Sequence, residues 1–159
     1  MRTCSPSRDA PETDIHVAAP YSLRIDEMAP RYLGRGFTAE DGLPAAAVDE
    51  AQQRLGVRIP ASLAYYYRRA GRCAALNALH HQLYAPTELV VEGGYLLFMD
   101  ENQSVASWGF PTSECHQNDP TVWQRNNTAP PAWYSEDKPF TGFLISMFDW
   151  YLDMGMLRR

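Results

Sequence analysis

The chain has 159 residues, of which 45% are hydrophobic, 12% aromatic and 21% charged. This composition is typical of globular proteins and excludes wholesale disorder, and the length suits one domain. The 14 basic and 19 acidic side chains give a net charge of −5, which argues against a broad nucleic-acid-binding face and favours a basic partner. Cys4, Cys73 and Cys115 are too few and too scattered for a disulfide framework, so a reducing compartment is expected.

The N-terminal segment does not look like an export signal. Its first 20 residues mix charges, prolines and small polar residues and lack the apolar core of a signal peptide. No apolar run approaches the roughly 18 residues of a membrane span. We therefore expect a cytoplasmic protein with no membrane contact. Residues 1–19 are predicted to form a flexible tail, and residues 20–159 a single domain.

The first half of this domain shows helical periodicity. Apolar residues between Tyr21 and Phe37 predict a short helix that Pro30 and Gly34 interrupt. A second pattern predicts a helix of about two turns that ends at Gly56. Its apolar positions are Val48, Ala51 and Leu55, with Asp49 and Glu50 expected in the first turn.

A third helix is expected to begin with Pro60 at its first position and to end at Gly71. Its apolar residues recur at i, i+3, i+4 and i+7: Leu63, Tyr66, Tyr67 and Ala70. A looser helical or irregular segment follows, with Leu76, Leu79 and Leu83, and Pro86 closes it.

After Pro86 the pattern changes to that of strands. Residues 88–92 and 95–99 are β-prone runs on either side of Gly93-Gly94, which predicts a tight hairpin. Further strand-like runs, at 104–110, 121–125 and 132–135, predict an antiparallel meander.

The C-terminal segment returns to helical spacing. Its apolar stripe is Phe140, Phe143, Leu144, Met147, Phe148 and Tyr151, which Ile145, Trp150 and Leu152 widen. The sequence therefore predicts an α+β fold with N-terminal helices, a central antiparallel sheet and a buried C-terminal helix.

Charge is unevenly distributed along the chain. Residues 48–85 carry 5 basic and 2 acidic side chains, whereas residues 86–138 carry 2 basic and 8 acidic ones. The predicted sheet and its loops therefore have a net charge of −6, larger than that of the whole chain.

Motifs of the commonest catalytic designs are absent from the sequence: a nucleophile elbow, a Walker loop, a dinucleotide fingerprint and a paired-cysteine metal knuckle. His80-His81 and Cys115-His116 are adjacent pairs whose side chains point in different directions, so we interpret them as ordinary surface or boundary residues. The segment 100–103 contains two acids and two amides, which are expected to close a turn. We expect no enzymatic activity and no cofactor.

The tryptophans have two interpretations, and a basic cluster of arginines has one. We interpret Trp108, Trp123, Trp133 and Trp150 as core residues, although aromatic residues at the rim of a sheet are frequent binding anchors. Arg68, Arg69 and Arg72 are interpreted as a solvated helix face.

A series of motifs in one order resembles a known family. The motifs are Leu55-Gly56-Val57-Arg58-Ile59-Pro60 at the entry to a tyrosine-rich helix, residues 94–103 followed by Trp108-Gly109, then Asp119-Pro120, Trp123 and Phe143-Leu144. In this order, over about residues 37 to 153, they resemble the SUKH superfamily. That family includes a yeast cell-wall synthesis regulator and many bacterial immunity proteins. The segment Arg72-Cys73-Ala74-Ala75 departs from the turn that the family often has there.

The resemblance implies a single α+β domain that binds and neutralises a cognate bacterial toxin, often a nuclease, from a polymorphic or contact-dependent secretion system. The toxin is expected to be basic, and the acidic sheet region could steer it into contact and cover its phosphate-binding groove. The candidate partner-binding residues are Glu88, Glu92, Asp100, Glu101, Trp108, Glu114, Asp119, Trp123, Trp133, Glu136 and Asp137.

Two other functions remain open at this point. A regulatory adaptor that binds endogenous proteins would suit the eukaryotic branch of the family, and an enzyme using His80 or Cys115 is the less favoured choice. The chain is expected to be a monomer or a weak homodimer that does not bind nucleic acid directly.

Overall fold

The first helix, α1, spans Tyr21–Leu33 in the computed structural model, which describes residues 19–157. The predicted interruption at Pro30 is wrong, because the helix continues through this proline and ends only at Gly34, whose φ is 69°. Pro30 is exposed, whereas the opposite side of α1, including Ile25 and Tyr32, is buried. This burial offsets the roughly 3 kcal/mol that an internal proline costs a helix.

The prediction for residues 1–19 concerns the part of the chain that, except for Ala19, lies outside the described residues. That prediction therefore stays a prediction.

Both of the next two predicted helices are present, as α2 (Ala45–Leu55) and α3 (Ala61–Ala70). Gly56 ends α2 with a φ of 65°, as expected. The placement of Asp49 and Glu50 in the first turn is wrong, because α2 begins at Ala45 and these acids lie in its second turn.

The predicted apolar stripe of α3 is buried in full: Leu63, Tyr66, Tyr67 and Ala70. Pro60 is the N-cap of this helix and not its first residue. The looser segment that follows contains a short helix, α4 (Ala74–Asn77). It ends in a strand that includes Leu83.

Within residues 19–157, six strands form one antiparallel sheet. They are β1 (His81–Leu83), β2 (Val90–Glu92), β3 (Tyr95–Glu101), β4 (Ala106–Pro111), β5 (Thr121–Asn126) and β6 (Ala132–Pro139). Strands β3 to β6 form the predicted meander, and β1 and β2 both pair with β3 on its other side. The hairpin at Gly93-Gly94 is confirmed, with φ of 56° and 81° at the two glycines.

The C-terminal helix, α5 (Phe140–Asp153), packs on one face of this sheet. The Phe98 ring on β3 contacts Phe110 and, edge to face, Phe140 and Phe143 of the helix. Helices α1 and α3 pack beside α5, so this side of the sheet contains the main core. We call it the helix face. The α+β order of elements is therefore as predicted.

Candidate interface on the open face of the sheet

The antiparallel register aligns one set of side chains across four strands on the side opposite the helix face. Asp100 on β3 is paired with Ser107 on β4, Ser107 with Arg125 on β5, and Arg125 with Trp133 on β6. Paired residues share a face, so these side chains lie in one row. We call this surface the open face and define it by Tyr95, Asp100, Ser107, Trp123, Arg125 and Trp133, with Glu92 at its edge.

Three aromatic rings form the centre of the open face. The rings of Tyr95 and Trp133 are stacked, with centroids 3.5 Å apart and planes within 8° of each other. Trp123 approaches Tyr95 edge to face at 6.3 Å. All three are half-buried, so part of each ring remains accessible. Because the rings hold one another in place, a partner that packs on them would lose little side-chain entropy from this side.

A polar network borders the aromatic cluster. The Arg125 guanidinium lies 5.8 Å from the centre of the Trp133 ring and donates to a Glu92 carboxylate oxygen at 2.6 Å. Ser107 Oγ donates to Asp100 Oδ1 at 2.6 Å. The two carboxylates exceed the single guanidinium by one charge, so the open face itself is only mildly acidic.

Tyr84 extends this network toward the edge of the sheet. Its pKa is raised above the ordinary value, first by burial and then by the adjacent Asp100 carboxylate, while Arg125 acts in the opposite direction. The phenol therefore stays neutral at physiological pH and provides a fixed hydrogen-bond donor beside the carboxylate.

Four of the sequence-predicted residues come together on the open face or at its edge: Glu92, Asp100, Trp123 and Trp133. Tyr95, Arg125 and Tyr84 were not among the candidates. The alternation of Trp123 with Arg125 in one strand was a signal for two side chains on the same face. The pairing of Tyr95 with Trp133 depends on two strands far apart in sequence and had no local signal.

The other predicted residues lie elsewhere. Trp108 is on the helix face, where its indole Nε1 donates to Glu136 Oε1 at 2.9 Å. Asp119 accepts from the backbone N–H and the hydroxyl of Thr141 and so fixes the first turn of α5. These three side chains hold elements of the fold together.

The remaining four acids have local roles or none that the structure defines. Glu88 accepts from the backbone N–H of Ala85 at 2.7 Å, and Glu101 accepts from that of Gln103 at 2.9 Å. Asp137 accepts from the hydroxyl of Ser135, and Glu114 lies in a 3₁₀ turn, Thr112–Glu114.

The interpretation of the tryptophans as core residues holds for one of four. Trp108 is 7% exposed. Trp123 and Trp133 are half-buried on the open face, and Trp150 is 40% exposed on α5. The buried positions of α5 are instead filled by its phenylalanine, leucine and tyrosine side chains.

A second aromatic cluster surrounds the histidine pair on the helix face. The His81 ring lies 4.8 Å from the Trp108 ring and nearly parallel to Trp150 at 6.2 Å. Burial, and secondarily the neighbouring His80, lower the pKa of His81 to about 4. His81 is therefore neutral at physiological pH.

Lowering the pH from 7.5 to 5 is expected to reduce the free energy of unfolding through His81. The unfolded chain takes up a proton near the ordinary pKa of 6.5, whereas the folded chain resists it until about 4. Stability is therefore full above pH 6.5 and falls toward pH 4, by on the order of 1 to 2 kcal/mol after allowance for solvent screening.

Urea unfolding at the two pH values measures this difference. His81→Gln should reduce the pH dependence, whereas His116→Gln, at an exposed histidine, should leave it in place. An identical pH dependence in the wild type and His81→Gln would contradict the prediction.

Residues 19–157 contain no group of three or more histidine, cysteine or acidic side chains placed to hold a metal ion. Over the same range, no helix is both long enough and apolar enough to cross a bilayer. No protein-family model, curated protein or solved structure matches the chain.

Proposed function

We propose that this chain is a cytoplasmic immunity protein that binds a cognate bacterial toxin through the open face of its sheet. It acts by stoichiometric association and without turnover. The observation that carries the proposal is the cluster of Tyr95, Trp123 and Trp133 with Arg125, half-exposed and held by mutual contacts. Tyrosine, tryptophan and arginine are the residue types enriched among the strongest contacts of protein interfaces.

The fixed positions of the open-face side chains favour a protein partner. The aromatic side chains project from paired strands, and Arg125 is fixed by Glu92 and by Asn127, to which its Nε donates at 2.7 Å. A prearranged surface of this kind loses little entropy on binding. This is how a small domain can bind a toxin tightly enough to neutralise it.

Charge favours a basic toxin. Residues 86–138 carry a net charge of −6, which is divided between the two faces of the sheet, and Glu92 and Asp100 are the acids of this region on or beside the open face. Acids around an aromatic centre raise the rate of encounter with a basic surface, such as the phosphate-binding groove of a nuclease. The proposed toxin is therefore a basic, nuclease-type effector of a polymorphic or contact-dependent secretion system.

The order of elements and the motifs give further support. An α+β domain with helices before an antiparallel meander and a helix after it is what the resemblance to the SUKH superfamily implies. The only two cysteines in the described residues are buried, and burial raises the pKa of Cys115 to about 12. This thiol is therefore protonated and a poor nucleophile, which favours binding over catalysis.

Co-expression tests the proposal. A gene that encodes a secreted protein with a small basic C-terminal domain is expected beside the gene for this chain. Expressing that domain in a susceptible bacterium should stop growth, and co-expressing this chain should restore it. An unrelated toxin domain is the control and should remain lethal.

Failure to protect against the neighbouring toxin would overturn the proposal. Recovery of the same housekeeping proteins by the purified chain from cells that lack the toxin gene, together with absent protection, would favour a regulatory adaptor instead.

A further inference from the structure

The helix face contains a cleft of about 220 Å³ between α5 and strands β1, β4 and β6. Its lining includes Trp108, Phe143 and Trp150, together with His81, Glu136 and Lys138. The cleft is smaller than the roughly 300 to 1,000 Å³ of pockets that enclose a drug-sized ligand. Its volume therefore suits one side chain of a protein or peptide.

We propose that this cleft binds a single arginine side chain presented by another protein or peptide. The inference does not depend on the toxin, because the cleft lies on the opposite side of the sheet from the open face. It rests on three features of the cleft: its aromatic walls, a carboxylate that is held in place, and a neutral histidine in the lining.

The aromatic walls suit a planar cation. Trp150 is 40% exposed, so part of its indole is available for stacking. The Trp108 ring lies 5.9 Å from that of Phe143, and both rings line the cleft. Guanidinium groups stack on indole faces and are attracted by the ring quadrupole, and tryptophan provides the strongest such attraction.

Glu136 provides the negative charge at a fixed position. Its Oε1 accepts from the Trp108 indole, which holds the carboxylate in the lining of the cleft. Its Oε2 has no hydrogen-bond partner among residues 19–157, and each carboxylate oxygen can accept more than one bond. The two oxygens can therefore meet the paired N–H groups of a guanidinium.

His81 lines the cleft without opposing a cation. It is neutral at physiological pH, because burial lowers its pKa to about 4. Lys138 is the one positive side chain at the cleft; it is exposed and makes no ion pair within the described part of the chain. Lys138 should weaken the binding of a cation, whereas Glu136 should strengthen it. Substitutions at these two positions of β6 should therefore change the affinity for arginine in opposite directions.

Three blocked tripeptides serve as probes: acetyl-Gly-Arg-Gly-amide and its counterparts with glutamine or glutamate at the centre. The full chain is labelled with ¹⁵N, and the indole N–H signals of the four tryptophans are followed during titration. The arginine peptide should shift the signals of Trp108 and Trp150, with a Kd of roughly 1 to 10 mM for so small a ligand. Trp123 and Trp133 should be unaffected.

Two variants test whether the cleft prefers a positive or a negative side chain. Glu136→Gln keeps an acceptor for the Trp108 indole but removes the charge, and should weaken arginine-peptide binding by about fivefold or more. Lys138→Met keeps the length of the side chain and should strengthen binding by about twofold to fivefold. The substitution changes the acceptor of the Trp108 indole, so an unchanged Trp150 indole signal in the free Glu136→Gln variant would show that its cleft is intact.

Three results would overturn the proposal. The first is stronger binding of the glutamate peptide, or weaker arginine binding in Lys138→Met, because either makes the cleft an anion site. The second is shifts confined to Trp123 and Trp133, and the third is no shift up to about 50 mM peptide. Each result leaves toxin binding by the open face untouched, since the toxin takes no part in the experiment.

Discussion

Replacing Gly42 by alanine is expected to lower the free energy of unfolding by about 3 kcal/mol or more, at the upper end of overpacking changes. A Cβ at this position would lie 1.9 Å from the backbone oxygen of Arg68 and 2.9 Å from its carbonyl carbon. The opposing atoms belong to the backbone of α3 and cannot move aside as a flexible side chain would. The reason is steric, since the backbone of Gly42 is extended, with φ of −99°.

The clash would fall where the chain before α2 is bound to the end of α3. The N–H of Leu43 donates to the carbonyl of Tyr67 at 2.9 Å, and that of Arg72 donates to the carbonyl of Asp41 at 2.7 Å. Moving the segment away to accommodate a methyl group would weaken both bonds. Each is worth about 1 kcal/mol, in a domain whose total stability is on the order of 10 kcal/mol.

Urea unfolding followed by tryptophan fluorescence measures the loss. Gly36→Ala is the matched control, because a Cβ at Gly36 would meet no atom within 4 Å. That change should alter stability by no more than about 1 kcal/mol. Equal unfolding midpoints for the two variants would show that the close approach at Gly42 is not present in solution.

Replacing Trp133 by alanine is expected to weaken binding of the toxin domain by about 30-fold or more, the size of effect seen at interface hot spots. The change removes an accessible ring from the centre of the open face. It also removes the stacking partner of Tyr95 and the ring beside the Arg125 guanidinium, so the neighbouring side chains lose their fixed positions.

Titration calorimetry with the purified toxin domain measures this affinity. Leu23→Ala, at a side chain that is 47% exposed on α1, is the control and should bind as the wild type does. The unfolding midpoint of Trp133→Ala shows whether the variant is folded under the conditions of the titration. A folded Trp133→Ala chain that keeps the wild-type affinity would place the interface elsewhere.

The sequence predicted those elements whose determinants are local. Helix α3 has four buried residues at helical spacing, and the glycine pair between two β-prone runs leaves few alternatives to a hairpin. The C-terminal helix was equally clear, because its apolar stripe covers its whole length. Helix starts are predicted with errors of one to three residues, as at α2. The N-cap of α2 makes no side-chain hydrogen bond, so no capping residue marks in the sequence where the helix begins.

Features that depend on contacts distant in sequence were not predicted. Strand β1 has only three residues and is defined by its pairing with Asp100 and its neighbours on β3. Pro30 indicated a break, but the packing of α1 on the core outweighs that local preference. Neither result could be obtained from a window of adjacent residues.

The candidate site was predicted by region and only partly by residue. Counting acids along the sequence treats Asp100 and Glu101 alike, yet adjacent residues of a strand point to opposite faces. Asp100 lies on the open face and Glu101 lies beside His80 on the other side. The stretch with a net charge of −6 is therefore divided between two surfaces, and the aromatic residues define the candidate interface better than the charge does.

Hydroxyl-radical footprinting of the complex tests the central claim that the open face binds the toxin. The free chain and its complex with the neighbouring toxin domain are oxidised in parallel, and modification is measured at each aromatic residue. We expect Tyr95, Trp123 and Trp133 to become protected on binding while Tyr21, at the start of α1, is modified as before. Protection of Tyr21 with unchanged modification of the three open-face residues would contradict the account.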